Sequence, residues 1–112
     1  MRVLAVILLA ALTLAVTVQP LPLLAQKTQS EELLRRAKTR VQPAYPELAK
    51  KMNLSGTARI EVVVAPNGTV KDARIVGGHP VLAGAALDAA KQWRFEPANV
   101  ESTGIIEFKF QH

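Results

Sequence analysis

The chain has 112 residues and contains no cysteine. That length allows one domain at most, and the lack of cysteine leaves a hydrophobic core rather than a disulfide framework to hold it. A net charge of +5, spread along the chain, is too mild and too dispersed for a nucleic-acid footprint.

Arg2 gives a positive start, residues 3–18 carry no charge, and Pro20 and Pro22 follow before the small residue Ala25. Positive start, short apolar run, prolines and a small residue describe a secretory signal peptide cleaved after Ala25. The alternative is a retained segment that anchors the chain in a membrane, and in either case the rest of the chain is exported. Membrane contact is expected only in that second case. The expected organisation is thus residues 1–25 as signal peptide or membrane segment, 26–40 as a polar linker or short helix, and 41–112 as the folded domain. In the linker, Thr28 and Glu31 have capping-box spacing and Glu31/Glu32 lie within reach of Arg35/Arg36, which predicts a short, solvated helix.

Pro43 and Pro46 force an extended path up to Tyr45, and Pro46 suits the first position of a short helix through Leu48, Ala49 and Met52. Residues 57–65 alternate Ile60, Val62 and Val64 against Arg59, Glu61 and Val63, which predicts a half-buried strand. Pro66-Asn67-Gly68 is a hairpin signal. The returning strand, 69–76, slips its alternation between Val70 and Ala73, so a bulge near Lys71–Asp72 is expected. Val81–Trp93 has helical spacing at Leu82, Ala86, Ala89/Ala90 and Trp93. Residues 105–110 alternate Ile106, Phe108 and Phe110 against Ile105, Glu107 and Lys109. The economical architecture is α+β, two short helices packed on one face of a three-stranded antiparallel sheet. Ile60, Val62, Leu82, Ala86, Trp93 and Phe95 are the expected core. The stretch "KQWRFEPA" (91–98) interleaves Trp93 and Phe95 with Lys91 and Arg94, but its rings continue the buried stripe and its cations suit a helix C-terminus. It therefore reads as a core plug.

Catalytic and cofactor signals are missing. His79 and His112 are the only histidines, and with no cysteine neither has a metal-ligand partner at a known spacing. Gly77-Gly78 lacks the further glycine and lysine of a phosphate loop. No enzyme, metal site, cofactor or nucleic-acid partner is expected.

"QPAYPELA" (42–49), "SGTARIEVVVAPNGTVKDARIV" (55–76), "AALDAAKQWRFEPA" (85–98) and "GIIEFKF" (104–110) together resemble the C-terminal domain of TonB-type energy transducers, over about residues 41–112. The resemblance implies a periplasmic domain of a Gram-negative bacterium that takes the extended Ton-box peptide of outer-membrane transporters as an added strand, linked to energy-dependent transport. Carried onto this chain, the peptide-binding residues it implies are Ile105, Ile106, Glu107, Phe108, Lys109 and Phe110 of the last strand, with Gln42, Pro43 and Tyr45 alongside. Taken from the residues alone, Tyr45 equally serves helix initiation and core packing. The family's full transducers carry a histidine in the apolar anchor and a long proline-rich linker. Residues 3–18 hold no histidine, and residues 26–41 hold no proline and span about 55 Å fully stretched. The alternative function is accordingly a solitary periplasmic interaction module, not coupled to the inner-membrane motor. Unprotected sheet edges also allow a strand-exchanged homodimer.

Overall fold

The computed structural model describes residues 22–111. Residues 1–21, which carry most of the expected export segment, and His112 lie outside the described residues. The elements run α1 (Leu23–Arg35), β1 (Ala37–Thr39), α2 (Glu47–Lys51), β2 (Gly56–Val64), β3 (Val70–Gly77), α3 (Pro80–Lys91), β4 (Arg94–Phe95) and β5 (Ser102–Phe110). The main sheet is antiparallel with strand order β3-β2-β5, and β1 pairs with β4 in a separate two-stranded ribbon. The expected α+β layering holds, with the ribbon and the packed α1 added to it.

β2 is central because its alternation is the cleanest. Ala58, Ile60, Val62 and Val64 are buried, while Arg59 is exposed and Glu61 and Val63 lie partly open on the other face. The hairpin that follows closes through the Ala65 carbonyl, which accepts from the Gly68 N–H at 2.8 Å, and the Ala65 N–H, which donates to the Thr69 carbonyl at 2.9 Å. Gly68 takes φ +93°, and a Cβ there would sit 2.0 Å from the Phe95 carbonyl oxygen. Only glycine fits both the dihedral and the gap. Val63 pairs with Asp72 and Val64 with Val70, so Lys71 is the extra residue of the expected bulge. A second irregularity leaves Val76 without a partner between Ile75 and Gly77.

α2 starts one residue later than expected, with Pro46 as its N-cap. It ends in a Schellman closure: the Leu54 N–H donates to the Ala49 carbonyl at 2.8 Å and the Asn53 N–H to the Lys50 carbonyl at 3.1 Å. Asn53, at φ +53°, supplies the left-handed residue that this motif needs.

α3 begins at Pro80, capped by His79, whose Nδ1 accepts from the Val81 N–H at 3.2 Å. Leu82, Ala83, Ala86, Ala89 and Ala90 are buried, and these small side chains let the helix lie close over β2 and β3. The helix stops at Lys91 rather than at Trp93. The chain turns there because Phe95 pairs with Ala37 of β1 and its N–H donates to the Gly68 carbonyl at 2.8 Å, an extended position no helix can reach.

Ile60, Val62, Leu82, Ala86, Trp93 and Phe95 are all buried. Trp93 meets Phe108 edge to face at 5.7 Å, and its Nε1–H donates to the Val41 carbonyl at 3.0 Å. The indole is thus a packed core ring with its one donor satisfied.

α1 departs from the expected solvated helix. Leu33 is 2% exposed and sits over Gly104, where a Cβ would come within 2.7 Å of the Leu33 Cδ2. A strand glycine of this kind marks the close approach of another element.

Candidate functional site

β5 pairs with β2 over its whole length, from Ser102 opposite Val64 to Phe110 opposite Gly56, with no shift in register. No strand pairs with its other side among the described residues, so β5 is an edge strand. Its side chains divide by face. Ile106, Phe108 and Phe110 point into the core, whereas Glu107 and Lys109 are exposed and Ile105 is partly so. Backbone groups of alternate residues also point to opposite edges of a strand. The Ile105 N–H donates outward, to the Ser30 Oγ of α1 at 2.9 Å, which places the amides and carbonyls of Glu107 and Lys109 on that same outer edge. Among the described residues, no element outside the sheet hydrogen-bonds the backbone of Glu107 or Lys109.

The edge is therefore in two parts. From Ser102 to Ile105 it lies under the C-terminal half of α1, held by Ser30, by Leu33 and by the Arg36 Nη2, which donates to the Ser102 Oγ at 2.8 Å. Beyond Ile105 the helix and the strand diverge into a groove of about 610 Å³, bounded by Gln26, Lys27 and Glu31 on one side and Ile106 and Glu107 on the other. Arg40 and Trp93 also line it, with the guanidinium carbon 5.9 Å from the indole centroid. This is within the range of a cation–π contact.

The segment of residues 41–46 contacts two buried rings of the core. Val41 takes the Trp93 indole hydrogen, and Tyr45 packs edge-on against Phe110 at 5.7 Å. The Tyr45 hydroxyl donates to the Leu54 carbonyl, so this ring braces the turn after α2 as well as the end of β5. Gln42 is exposed and Pro43 half-buried. The structure thus brings Tyr45 against Phe110 at the end of the last strand, in a packing role, and places Gln42 and Pro43 in the extended segment that leads into it. Ile106, Phe108 and Phe110 present only backbone at the sheet plane, because their side chains are in the core.

The outward face of the sheet carries paired charges. The Arg59 Nε lies 3.3 Å from the Glu107 Oε1, and the Arg74 Nε 2.8 Å from the Glu61 Oε1. The hydrogen bond to Glu61, with its charge, raises the pKa of the Arg74 guanidinium above its ordinary value.

Ser30, Leu33 and Arg36 were not foreseen as neighbours of β5. The available signal was Gly104, a glycine in an otherwise apolar strand.

A regular edge strand over an aromatic core, with an extended segment whose Tyr45 packs on Phe110, defines a small α+β domain. Residues 41–111 match the family described as Gram-negative bacterial TonB protein C-terminal, and the chain belongs to that family. It is 28% identical to Protein TonB of Klebsiella pneumoniae over 78 residues, which is 68% of this chain and 32% of that protein. It is 36% identical to Protein TonB of Vibrio cholerae over 59 residues, 51% of this chain and 24% of that protein. The chain therefore spans no more than about a third of the curated relatives it matches. The solution structure of the Pseudomonas aeruginosa TonB C-terminal domain shares the fold, with a TM-score of 0.59 at 20% identity over 68% of this chain and 84% of that one. No helix among the described residues is long and apolar enough to cross a membrane.

Proposed function

We propose that this domain acts in the periplasm of a Gram-negative bacterium by binding extended, Ton-box-like peptides of outer-membrane transporters, which add as a strand to β5 and serve energy-linked uptake. The role is one of binding rather than catalysis. The observation that carries the reading is the outer edge of β5 at Glu107 and Lys109: regular, without a bulge and, among the described residues, with no other element on its backbone. Strand addition satisfies such groups through main-chain hydrogen bonds, so affinity comes from the backbone and specificity from whatever lies beside it. Here Tyr45 packs on Phe110 at one end of the strand, the groove between α1 and β5 lies beside the other, and Gln42 and Pro43, which lead into Tyr45, are the further residues assigned to the peptide. Titrating the ¹⁵N-labelled full-length chain in detergent with synthetic Ton-box peptides tests the reading. The Glu107 and Lys109 amides should shift first and furthest. A titration that moves no amide between Ile105 and Phe110 removes strand addition as the mode of binding.

The docking of α1 onto β5 favours a second reading, an envelope interaction module that is not coupled to the inner-membrane motor. Capture experiments on envelope extracts separate the two. Recovery of outer-membrane transporters supports the first, and recovery of other envelope proteins alone supports the second.

A further inference from the structure

α1 makes three separate contacts with the N-terminal half of β5, and the first occupies an outward backbone donor that an incoming strand would need. The Ser30 Oγ accepts from the Ile105 N–H, the outward donor next along the edge from Glu107. Leu33 fills the notch at Gly104, the one position of β5 without a side chain on the core face. Arg36 bonds the Ser102 hydroxyl, and its carbonyl accepts from the Glu96 N–H at 2.8 Å, tying the helix end to β4. The first turns of the helix are only loosely applied, since Leu23 and Leu24 are exposed and the groove opens between these turns and Ile106–Glu107. Such a helix is fastened at one end and weakly held at the other.

We propose that α1 is a self-inhibitory latch, in which Ser30 on the Ile105 amide and Leu33 on Gly104 occupy the inner half of the β5 edge, so that docking of α1 and full-length strand addition exclude each other. The inference rests on the reading of β5 as the peptide-binding strand. With α1 docked, an added strand can pair at Glu107 and Lys109 but stops at Ile105. With α1 released, it can continue to Thr103. A peptide that pairs along the full edge gains that contact only in the released state, so it shifts the chain toward release by its difference in affinity for the two states. The latch is weak by construction. Two hydrogen bonds and one buried leucine hold it at the strand, and losing the Ser30 bond alone changes the docking equilibrium by about two- to tenfold.

The absence of cysteine from the chain allows a clean lock. A Cβ built at position 104 lies 3.5 Å from the Leu33 Cβ, within disulfide range, and 3.3 Å from the Ser30 Cα, which must yield slightly. The full-length Leu33→Cys/Gly104→Cys double variant is titrated with a synthetic Ton-box peptide in its reduced and oxidised forms, beside wild type and Ser30→Ala. The latch predicts that the oxidised form binds at least about tenfold more weakly than the reduced form and shows no peptide shift at Ile105. It also predicts that Ser30→Ala binds about two- to tenfold more tightly than wild type, with faster hydrogen exchange at the Ile105 amide in the free chain. Equal affinity in the two redox forms, with Ile105 shifting in both, overturns the latch and leaves strand addition standing. No peptide shift in β5 for wild type, Ser30→Ala or the reduced pair overturns strand addition itself, and the latch with it.

Discussion

The two outer strands of the sheet meet the same hazard in different ways. β3 pairs with β2 through two irregularities, at Lys71 and Val76, and carries Lys71, Asp72 and Arg74 exposed along it. β5 pairs with the same β2 without a break over nine residues, and its core face is apolar from Gly104 to Phe110. Bulges and charges blunt an edge because they twist the strand and penalise a flat partner, whereas a regular strand is a template for the next one. The core beneath follows the same division. Under β3 it is the close-packed alanine face of α3, and under β5 it is aromatic, with Trp93 set against Phe108 and Tyr45 against Phe110. The irregular edge defends itself. The regular edge is left serviceable, and half of it is covered by α1.

The contrast is broken most directly in the aromatic half. Trp93→Ala removes the ring that meets Phe108 and is expected to cost about 3–5 kcal/mol, measured by urea unfolding. Ala86→Gly in the alanine half should cost only about 1 kcal/mol, the backbone penalty of glycine in a helix. Equal losses would show that the two halves contribute alike. Gly68→Ala tests the seam where the halves meet, since the new methyl group would strike the Phe95 carbonyl at an unfavourable φ. A loss of about 3 kcal/mol is expected from strain and collision together, read from the same unfolding curves.

The edges themselves are compared by Leu33→Ala, which should cost about 2 kcal/mol and uncover Gly104. Sedimentation velocity should then show association that grows with concentration, through the freed part of β5. Ile75→Lys on the β3 edge should leave the mass unchanged, because that edge is already poor at pairing. Association by the β3 variant, or a strictly monomeric Leu33→Ala, would reverse the assignment of the vulnerable edge.

Much of this division was legible in the residues, because strand alternation survives local context. Ile60, Val62 and Val64 announced β2, and the slip between Val70 and Ala73 announced the bulge at Lys71. What escaped notice had little periodic signal. α1 buries a single residue, Leu33, into a notch made by a glycine 71 positions later, so it shows no stripe and reads as a solvated helix. β4 has two residues and β1 three, too short for any alternation, and their pairing is what ends α3 before Trp93. The β5 edge was legible as a strand, but its partial cover was not, because the Ser30 to Ile105 bond joins two ordinary residues across the fold.

His79 provides the smallest and most discriminating test. Its Nδ1 accepts from the Val81 N–H and so caps α3, the helix that covers the β3 half. At 3.2 Å and exposed, that bond belongs at the low end of capping energies, so His79→Ala should cost about 0.5 kcal/mol. His79→Asp should restore or slightly exceed wild-type stability, because a carboxylate both caps and favours the positive end of the helix dipole. The informative readout is where the loss is felt. If the alanine-lined and aromatic halves are separate cooperative units, hydrogen exchange quickens at Leu82 and Ala83 and stays unchanged at Ile106 and Phe108. If exchange quickens equally at all four amides, the domain opens only as a whole. α1 would then be the one element able to leave β5 without unfolding the rest.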